Sequence, residues 1–171
     1  APCRVVLTLH DLHVFTHPRF CGAANRLHYR LFMPRSIRRA TKIIVFSQYT
    51  RDNITARFPE AASKIAVIPP GISPDLKPCK DPALLQSAKS RYGLSEQFLL
   101  FLGDLTCRKN IDGILRAFAA LRPKHPELHL TLAGHCDGQM SRAIRQTAAD
   151  LGVASQTDLP GYIAPADLAA V

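Results

Sequence analysis

Residues 98–118 read FLLFLGDLTCRKNIDGILRAF, and they carry the clearest sign of the fold. Five apolar residues predict a buried strand, Gly103 ends it, and an amphipathic helix opens at about Asn110. This arrangement of strand, glycine, loop and helix start is typical of an anion-binding site, because unpaired amide groups and the positive end of the helix dipole converge there. Arg108 and Lys109 in the loop add fixed charge where a diphosphate would sit. The stretch therefore predicts a protein that binds a phosphorylated ligand.

The same alternation of strands and helices runs along most of the chain. Runs of branched and aliphatic side chains predict strands at residues 4–9, 42–46, 64–68, 98–102, 128–133 and 157–159. Apolar spacing and capping residues predict helices at residues 25–41, 47–58, 82–92, 111–121 and 141–151, with another from about Pro165. Short loops join these elements, so the predicted fold class is α/β with parallel sheets.

The predicted helix at residues 25–41 carries a rough apolar stripe. Leu27, Leu31, Ile37 and Ala40 are its members, and Pro34 should kink the helix because proline lacks an amide hydrogen. This stripe is expected to face the core.

Three residues are expected to begin or end helices. Ser47 should cap the helix that follows the second strand, and Asp81 should cap the next one, with Pro82 at its first position. Gly93 should end that helix in the left-handed conformation.

A change of composition marks a domain boundary near residues 73–82. This segment holds three prolines and mixed charges and has no periodicity, as expected of a linker. We therefore divide the chain into residues 1–77, a linker and connecting helix at 78–93, and residues 94–171.

Composition narrows the class of protein. Of 171 residues, 47% are apolar and 20% charged, which is typical of a globular protein. No apolar run approaches the roughly 20 residues of a membrane-spanning helix, and the N-terminus has no features of a signal peptide. Because the chain starts inside a predicted strand without an initiating Met, we expect it to be an internal fragment.

The cysteines favour neither a disulfide framework nor a metal site. Five scattered cysteines form no Cys-x-x-Cys pair, so reduced thiols in a cytoplasmic protein are expected. His13, His17 and Cys21 stand four residues apart, as metal ligands on a helix can. Pro18 interrupts that helix and no fourth ligand is evident, so no metal is expected.

The net charge of +9 is unevenly distributed. No acidic residue occurs between Asp11 and Asp52, whereas basic residues are frequent there. Such a segment could face nucleic acid, anionic lipid headgroups or only solvent. Its main cations are Arg26, Arg30, Arg35, Arg38, Arg39 and Lys42.

Four motifs in fixed order resemble a known family. These are His10-Asp11, RATKIIVFSQYT at residues 39–50, KIAVIPPG at 64–71, and the segment from Gly103 to Asn110. Their series is similar to that of retaining glycosyltransferases of the GT-B fold, in family four or "group 1". The resemblance covers essentially the whole chain. It implies parts of two Rossmann-like domains, both incomplete, which in the family hold the acceptor (first domain) and the nucleotide-sugar donor (second domain).

The resemblance also implies roles on the donor side. Lys109 stands six residues beyond Gly103, where the family places a lysine on the donor diphosphate, and Arg108 would assist it. The family often has an arginine directly after this glycine, and this chain has Asp104, which we do not assign to donor binding. A cation beside the diphosphate is chemically sensible, because the leaving group gains negative charge.

The resemblance also places residues at the donor pocket and on the acceptor side. Gly134 ends the next strand at the same sheet edge, and Tyr162 and Ile163 resemble the stretch that reads the nucleobase. His10 would be the catalytic residue, polarising a hydroxyl, with Asp11 either orienting its imidazole or capping the following loop.

The expected activity is transfer of a hexose to a glycan or lipid-linked acceptor, as in polysaccharide biosynthesis. The motif Arg108-Lys109-Asn110 resembles mannosyltransferases, so GDP-mannose is the expected donor, with no cofactor. The basic segment would rest on an anionic membrane, making a cytoplasmic, peripheral enzyme with no nucleic-acid partner. The paired glutamates of the family are not present after Glu127, so this chain alone is expected to be inactive.

Two other functions remain open. The first is a non-catalytic α/β module that binds nucleic acid or another polyanion through the basic segment, with binding that falls steeply with salt. Only Tyr29 and Phe32 are available there for stacking on bases, which disfavours single-strand binding. The second is a dinucleotide-dependent oxidoreductase, which is disfavoured because no Gly-x-Gly-x-x-Gly follows any strand.

Overall fold

The computed structural model describes residues 3–74 and 76–171, and the chain divides into two compact units, residues 1–72 and 73–171. Within the described residues, each unit contains one three-stranded parallel sheet with helices between its strands. The α/β prediction is thereby confirmed.

In the sheet of the first unit, the strands lie side by side in the same order as in the chain. Strands β1 (Val6–Leu9), β2 (Lys42–Val45) and β3 (Ile65–Val67) pair in parallel. Leu7 stands opposite Ile43, and Val45 opposite Val67. The helices are α1 (His13–Thr16), α2 (Ala23–Arg39) and α3 (Gln48–Arg57), and short 3₁₀ helices cover Pro18–Phe20 and Pro59–Lys64.

The apolar stripe that α2 buries in the core of the first unit differs from the predicted one. Ile37 is fully buried and Met33 is 8% exposed, but Leu27 and Leu31 are 61% and 49% exposed. Leu31 and Met33 stand two residues apart, about 200° around a helix, so they cannot share a face. The helix buries the stripe that contains Met33, Ile37 and the following Ala40, and it continues unbroken through Pro34.

The second unit begins with α4 (Pro82–Tyr92) and then alternates β4 (Phe98–Leu102), α5 (Ile111–Leu121), β5 (His129–Ala133), α6 (Gly138–Asp150) and β6 (Thr157–Gly161). The order in the sheet is β4-β5-β6, all parallel, with Leu102 opposite Ala133. Short 3₁₀ helices cover Cys107–Lys109, Arg122–Lys124, Ala154–Gln156 and Pro165–Ala170.

The core of the second unit follows the predicted face of α5. Ile111, Leu115 and Phe118 are buried, and Ile114 is partly buried against the same cluster. They pack against β5 residues Leu130 and Leu132 and against Ile144 of α6. Burying apolar surface contributes about 25 cal/mol of favourable free energy per Å², so such a cluster is the main source of stability.

The predicted helix ends are confirmed at three positions. The Ser47 hydroxyl accepts from the Thr50 amide at 3.1 Å, and the Asp81 carboxylate accepts from the Ala83 amide at 2.9 Å. Gly93 adopts φ of 61° at the end of α4.

Two other helix predictions need correction. Helix α6 begins at Gly138, three residues before the predicted start, because Asp137 caps it through the Met140 amide at 2.7 Å. The helix expected from about Pro165 is a 3₁₀ helix at Pro165–Ala170.

None of the helices within residues 3–74 and 76–171 is both long and apolar enough to cross a bilayer.

Candidate functional site

Three glycines stand at the carboxyl ends of the strands in the second sheet. Gly103 and Gly134 directly follow β4 and β5, and Gly161 ends β6. The Gly103 amide donates to the Ala133 carbonyl at 2.9 Å, and the Gly134 amide donates to the Gly161 carbonyl at 2.8 Å. All three adopt positive φ, at 147°, 145° and 81°. The backbone therefore turns at this edge, where open parallel sheets bind ligands.

Gly134 is held against the neighbouring backbone. A β-carbon at position 134 would lie 1.9 Å from the carbonyl oxygen of Gly103. No side chain fits there, so a glycine is required for these two loops to meet. Gly134 lines both cavities described next, and its predicted role in donor binding stays a prediction.

A cavity of about 260 Å³ opens beside this edge and is called the α6 cavity. Its polar side chains come from the loop after β5, from α6 and from Tyr162, which follows β6. It is lined by Leu105, Leu132, Gly134, His135, Cys136, Ser141, Arg145, Leu159, Gly161 and Tyr162.

A smaller cavity of about 140 Å³, called the β4 cavity, brings most of the predicted donor-side residues together. Gly103, Gly134, Tyr162 and Ile163 all line it. Ile163 is 2% exposed and Tyr162 is 69% exposed, so Ile163 is part of the core and Tyr162 is accessible to a ligand.

Asp104 also lines the β4 cavity. Its carboxylate would repel a diphosphate placed next to it, since like charges at short distance are unfavourable. The phosphates of a ligand are therefore better placed toward the loop cations than against Asp104.

Arg108 and Lys109 lie on the loop between β4 and α5, in the short 3₁₀ helix Cys107–Lys109. Both are exposed, and neither lines the α6 cavity or the β4 cavity. Asn110 follows with φ of 54° and precedes the first residue of α5. The loop thus presents two cations beside a helix N-terminus, as predicted, and their contact with a ligand stays a prediction.

Cys136 lines the α6 cavity. Burial raises the pKa of its thiol, and the neighbouring Asp137 carboxylate raises it further. Because the thiolate is the reactive form, Cys136 should react slowly with alkylating reagents near neutral pH.

His10 lies in the first unit, directly after β1. Its ring meets the Phe46 ring edge to face, with centroids 4.6 Å apart, and its carbonyl accepts from the Thr50 hydroxyl at 3.4 Å. A cavity of about 330 Å³ includes His10 among its lining residues, together with Tyr29 and Met33. The site thus offers an accessible imidazole at a strand end, and its catalytic role stays a prediction.

Asp11 bonds to His13, the first residue of α1, and its two predicted roles, orienting the His10 imidazole or capping the following loop, stay predictions. Its carboxylate accepts from the His13 amide at 3.0 Å and pairs with the His13 imidazole.

No group of three or more His, Cys, Asp or Glu side chains within residues 3–74 and 76–171 is arranged to hold a metal ion. The spacing of His13, His17 and Cys21 therefore does not correspond to a described cluster. Pro18 begins a separate 3₁₀ helix between them.

Sequence reasoning missed four polar residues of the α6 cavity. His135 and Cys136 follow Gly134, while Ser141 and Arg145 lie one turn apart on α6. The loop pair was detectable, because it directly follows a parallel strand at the ligand-binding edge. The helix pair was not, because its orientation depends on how α6 packs.

Two family models match the chain. The model for Glycosyltransferase Family 4 matches residues 1–76, and the model for Glycosyl transferases group 1 matches residues 85–171, half of the chain.

Curated relatives include two bacterial mannosyltransferases. A GDP-mannose-dependent alpha-(1-6)-phosphatidylinositol monomannoside mannosyltransferase of Mycolicibacterium smegmatis is 30% identical, over 80% of this chain and 38% of its own length. The O-antigen chain mannosyltransferase B of Escherichia coli is 29% identical, over 77% and 35%. The chain thus spans less than two fifths of the length of either relative.

Solved structures share the fold. Anabaena HepE in complex with UDP and glucose superposes with a TM-score of 0.71 at 20% identity, over 98% of this chain and 43% of that chain. WaaG, a glycosyltransferase involved in lipopolysaccharide biosynthesis, has a TM-score of 0.66 at 21% identity, over 95% and 46%. At these identities the likeness shows the GT-B fold, which confirms the fold expected from the sequence motifs.

Proposed function

Because this chain belongs to the glycosyl transferases group 1 family, we propose that the protein transfers a hexose from a nucleotide-sugar, with retention of configuration, to a glycan or lipid-linked acceptor. The observation that carries the proposal is the pair of cavities at the carboxyl edge of the second sheet, within the half of the chain that the family model matches. They bring Gly103, Gly134 and Tyr162 together at the edge where α/β sheets bind ligands.

The chemistry follows from the charges near this edge. When the bond from the sugar to the diphosphate breaks, the bonding electrons leave with the nucleoside diphosphate, which gains negative charge. Lys109 and Arg108 supply fixed positive charge for this leaving group, and the N-terminus of α5 adds its dipole. No metal or other cofactor is needed for this stabilisation. His10 polarises a hydroxyl of the transferred sugar or the acceptor.

Mannose from GDP-mannose is the donor that the relatives favour. Two of the mannosyltransferase relatives are about 30% identical, and one is named as GDP-mannose-dependent. The UDP-bound neighbours are only 20% identical and support the fold rather than the base.

The test is sugar transfer by the full-length protein, with GDP-mannose and UDP-glucose offered separately. Release of GDP that depends on an added acceptor is the expected result. Release of neither nucleotide, together with no measurable binding of either donor, would contradict the proposed function.

Alkylation of Cys136 tests occupancy of the α6 cavity independently of turnover. Saturating GDP is expected to slow its modification about tenfold or more, because a ligand in the cavity covers the thiol. Mass spectrometry of the separate peptides measures this at mildly alkaline pH, where the thiol is partly ionised. Cys21 is half-buried in the first unit, lines neither cavity and is the control, whose rate should not change. Equal rates for Cys136 with and without GDP would place the nucleotide elsewhere.

We further propose that the protein is cytoplasmic and peripheral to an anionic membrane. All five cysteines are free thiols, in keeping with a reducing compartment. Helix α2 exposes Leu27, Leu31 and Phe32 beside its cations. Exposed apolar side chains interleaved with arginines are typical of helices that lie at a membrane surface. The cations proposed to face the lipid are Arg26, Arg30, Arg35, Arg38, Arg39 and Lys42.

These arginines have no ion-pair partner among the described carboxylates, which leaves their charge available. We expect co-sedimentation with vesicles that contain anionic phospholipid and little with phosphatidylcholine alone. Replacing Arg30 and Arg35 by glutamate should reduce binding about 30-fold or more, because each basic residue near the surface contributes about 1 kcal/mol. Replacing the exposed Arg116 and Arg142 in the second unit by glutamate is the charge-matched control. Equal binding by both variants would exclude α2 as the contact.

The ligand that the basic segment binds distinguishes this proposal from a non-catalytic polyanion-binding module. Such a module would bind nucleic acid with a steep dependence on salt and would show no affinity for nucleotide-sugars.

A further inference from the structure

A single hydroxyl at the end of α4 makes two hydrogen bonds to the segment that follows β6. The Tyr92 hydroxyl donates to the Asp167 carboxylate at 2.6 Å and accepts from the Ala164 amide at 3.1 Å. Tyr92 is half-buried. The two partners are separated from it by more than 70 positions in the chain, so these bonds join distant parts of the second unit.

Arg91 strengthens the same link. Its guanidinium donates to the Asp167 carboxylate at 2.7 Å, and the side chain of Asp167 is only 20% exposed. The hydrogen bond from Tyr92 lowers the pKa of Asp167, and the hydrogen bond and charge of Arg91 lower it further. The carboxylate therefore remains a charged acceptor at neutral pH, and charge-assisted bonds of this kind are the stronger ones.

The anchored segment forms one wall of the β4 cavity. Tyr162, Ile163 and Leu168 line this cavity, and the anchored residues Ala164 and Asp167 stand directly beside them in the chain. Just before α4, the Cys79 amide donates to the Ala169 carbonyl at 2.9 Å, which ties the far end of the wall as well. No residue of α4 lines the β4 cavity.

We propose that Tyr92 is a positioning residue for nucleotide binding. Its hydroxyl holds residues 162–168 against the carboxyl edge of the second sheet, so that Tyr162 and Ile163 are in place before the ligand arrives. If the wall is already ordered before the nucleotide binds, no binding free energy is lost in ordering it. This inference rests on the proposed function, because it concerns the same nucleotide pocket.

Tyr92→Phe is the test, because it removes the hydroxyl and keeps the ring. The affinity for GDP, or for UDP if that is the nucleotide bound, should fall about five- to tenfold, as for the loss of one or two hydrogen bonds. Hydrogen exchange at the Ala164 amide should become faster, since its acceptor is gone. Asp167→Asn, which keeps the shape but removes the charge, should change both quantities in the same direction.

Glu96→Gln is the matched control. It breaks the 2.6 Å ion pair of Lys89 with Glu96, which anchors α4 to the loop before β4 rather than to the wall. Its nucleotide affinity and its Ala164 exchange should match the unmodified protein. Unchanged affinity in Tyr92→Phe, or an equal loss in Glu96→Gln, would overturn the positioning role. If the unmodified protein binds neither nucleotide, the proposed function fails and this inference fails with it.

Discussion

Replacing Gly134 by alanine is expected to destabilise the second unit by about 3 kcal/mol or more. The added methyl group would lie 1.9 Å from the Gly103 carbonyl oxygen, well inside van der Waals contact. The backbone also has φ of 145°, which a residue with a β-carbon rarely adopts. Steric overlap and unfavourable backbone geometry each cost about 1–3 kcal/mol, and here they occur together. The clash is with backbone, which cannot rotate away.

Two measurements check this expectation. Chemical denaturation followed by circular dichroism gives the loss in free energy of unfolding, and hydrogen exchange of β5 shows whether the sheet edge opens locally. Gly138→Ala is the matched control, because its β-carbon would meet only Arg142 at an ordinary 3.6 Å. Since Gly138 begins α6, alanine there should be neutral or stabilising by up to about 1 kcal/mol. Similar stability of the two variants would show that the two glycine loops do not meet as described.

Replacing Lys109 by alanine is expected to lower the affinity for the nucleoside diphosphate about 10- to 100-fold. A hydrogen bond to a charged group contributes roughly 1.5–3 kcal/mol, and the loss of the ammonium leaves the phosphate charge less compensated. Lys109 is exposed on its loop and forms no ion pair with any carboxylate in the described part of the chain. Its removal should therefore leave the stability of the fold within about 0.5 kcal/mol.

Titration calorimetry with GDP and with guanosine separates the phosphate contribution from that of the base. Only GDP binding should weaken, and the difference from the unmodified protein should shrink at high salt. Lys124→Ala provides the control: it removes the same charge from an exposed position just before β5, at the opposite edge of the sheet. If GDP binds Lys109→Ala as tightly as it binds the unmodified protein, Lys109 is not part of the site.

Asp104 gives the loop an uneven charge distribution. Asp104 lines the β4 cavity, whereas Arg108 and Lys109 lie further along the loop and do not line it. A carboxylate in this place has only acceptor oxygens and would repel phosphates, so Asp104 is not assigned to donor binding.

Much of the second unit could be predicted because its signals are local. The apolar run of residues 98–102, the spacing of Ile111, Leu115 and Phe118, and the cap at Asp81 each depend on neighbours within a few positions. Helix α2 was harder to assign. Leu27 and Leu31 have the spacing of a buried stripe, yet only the stripe with Met33 and Ile37 meets the sheet.

Four properties could be predicted from the sequence: the α/β class, the parallel order of strands and helices, the edge at which a ligand should bind, and the family resemblance. These follow from periodicity, from glycines at strand ends and from motifs, which are all properties of short segments. Only the tertiary structure decided that Gly134 touches Gly103, that Ser141 and Arg145 face the α6 cavity, and that Tyr92 holds the wall at Ala164 and Asp167. Such contacts join residues far apart in the chain, and their geometry is set by how sheets and helices pack, which no local pattern encodes.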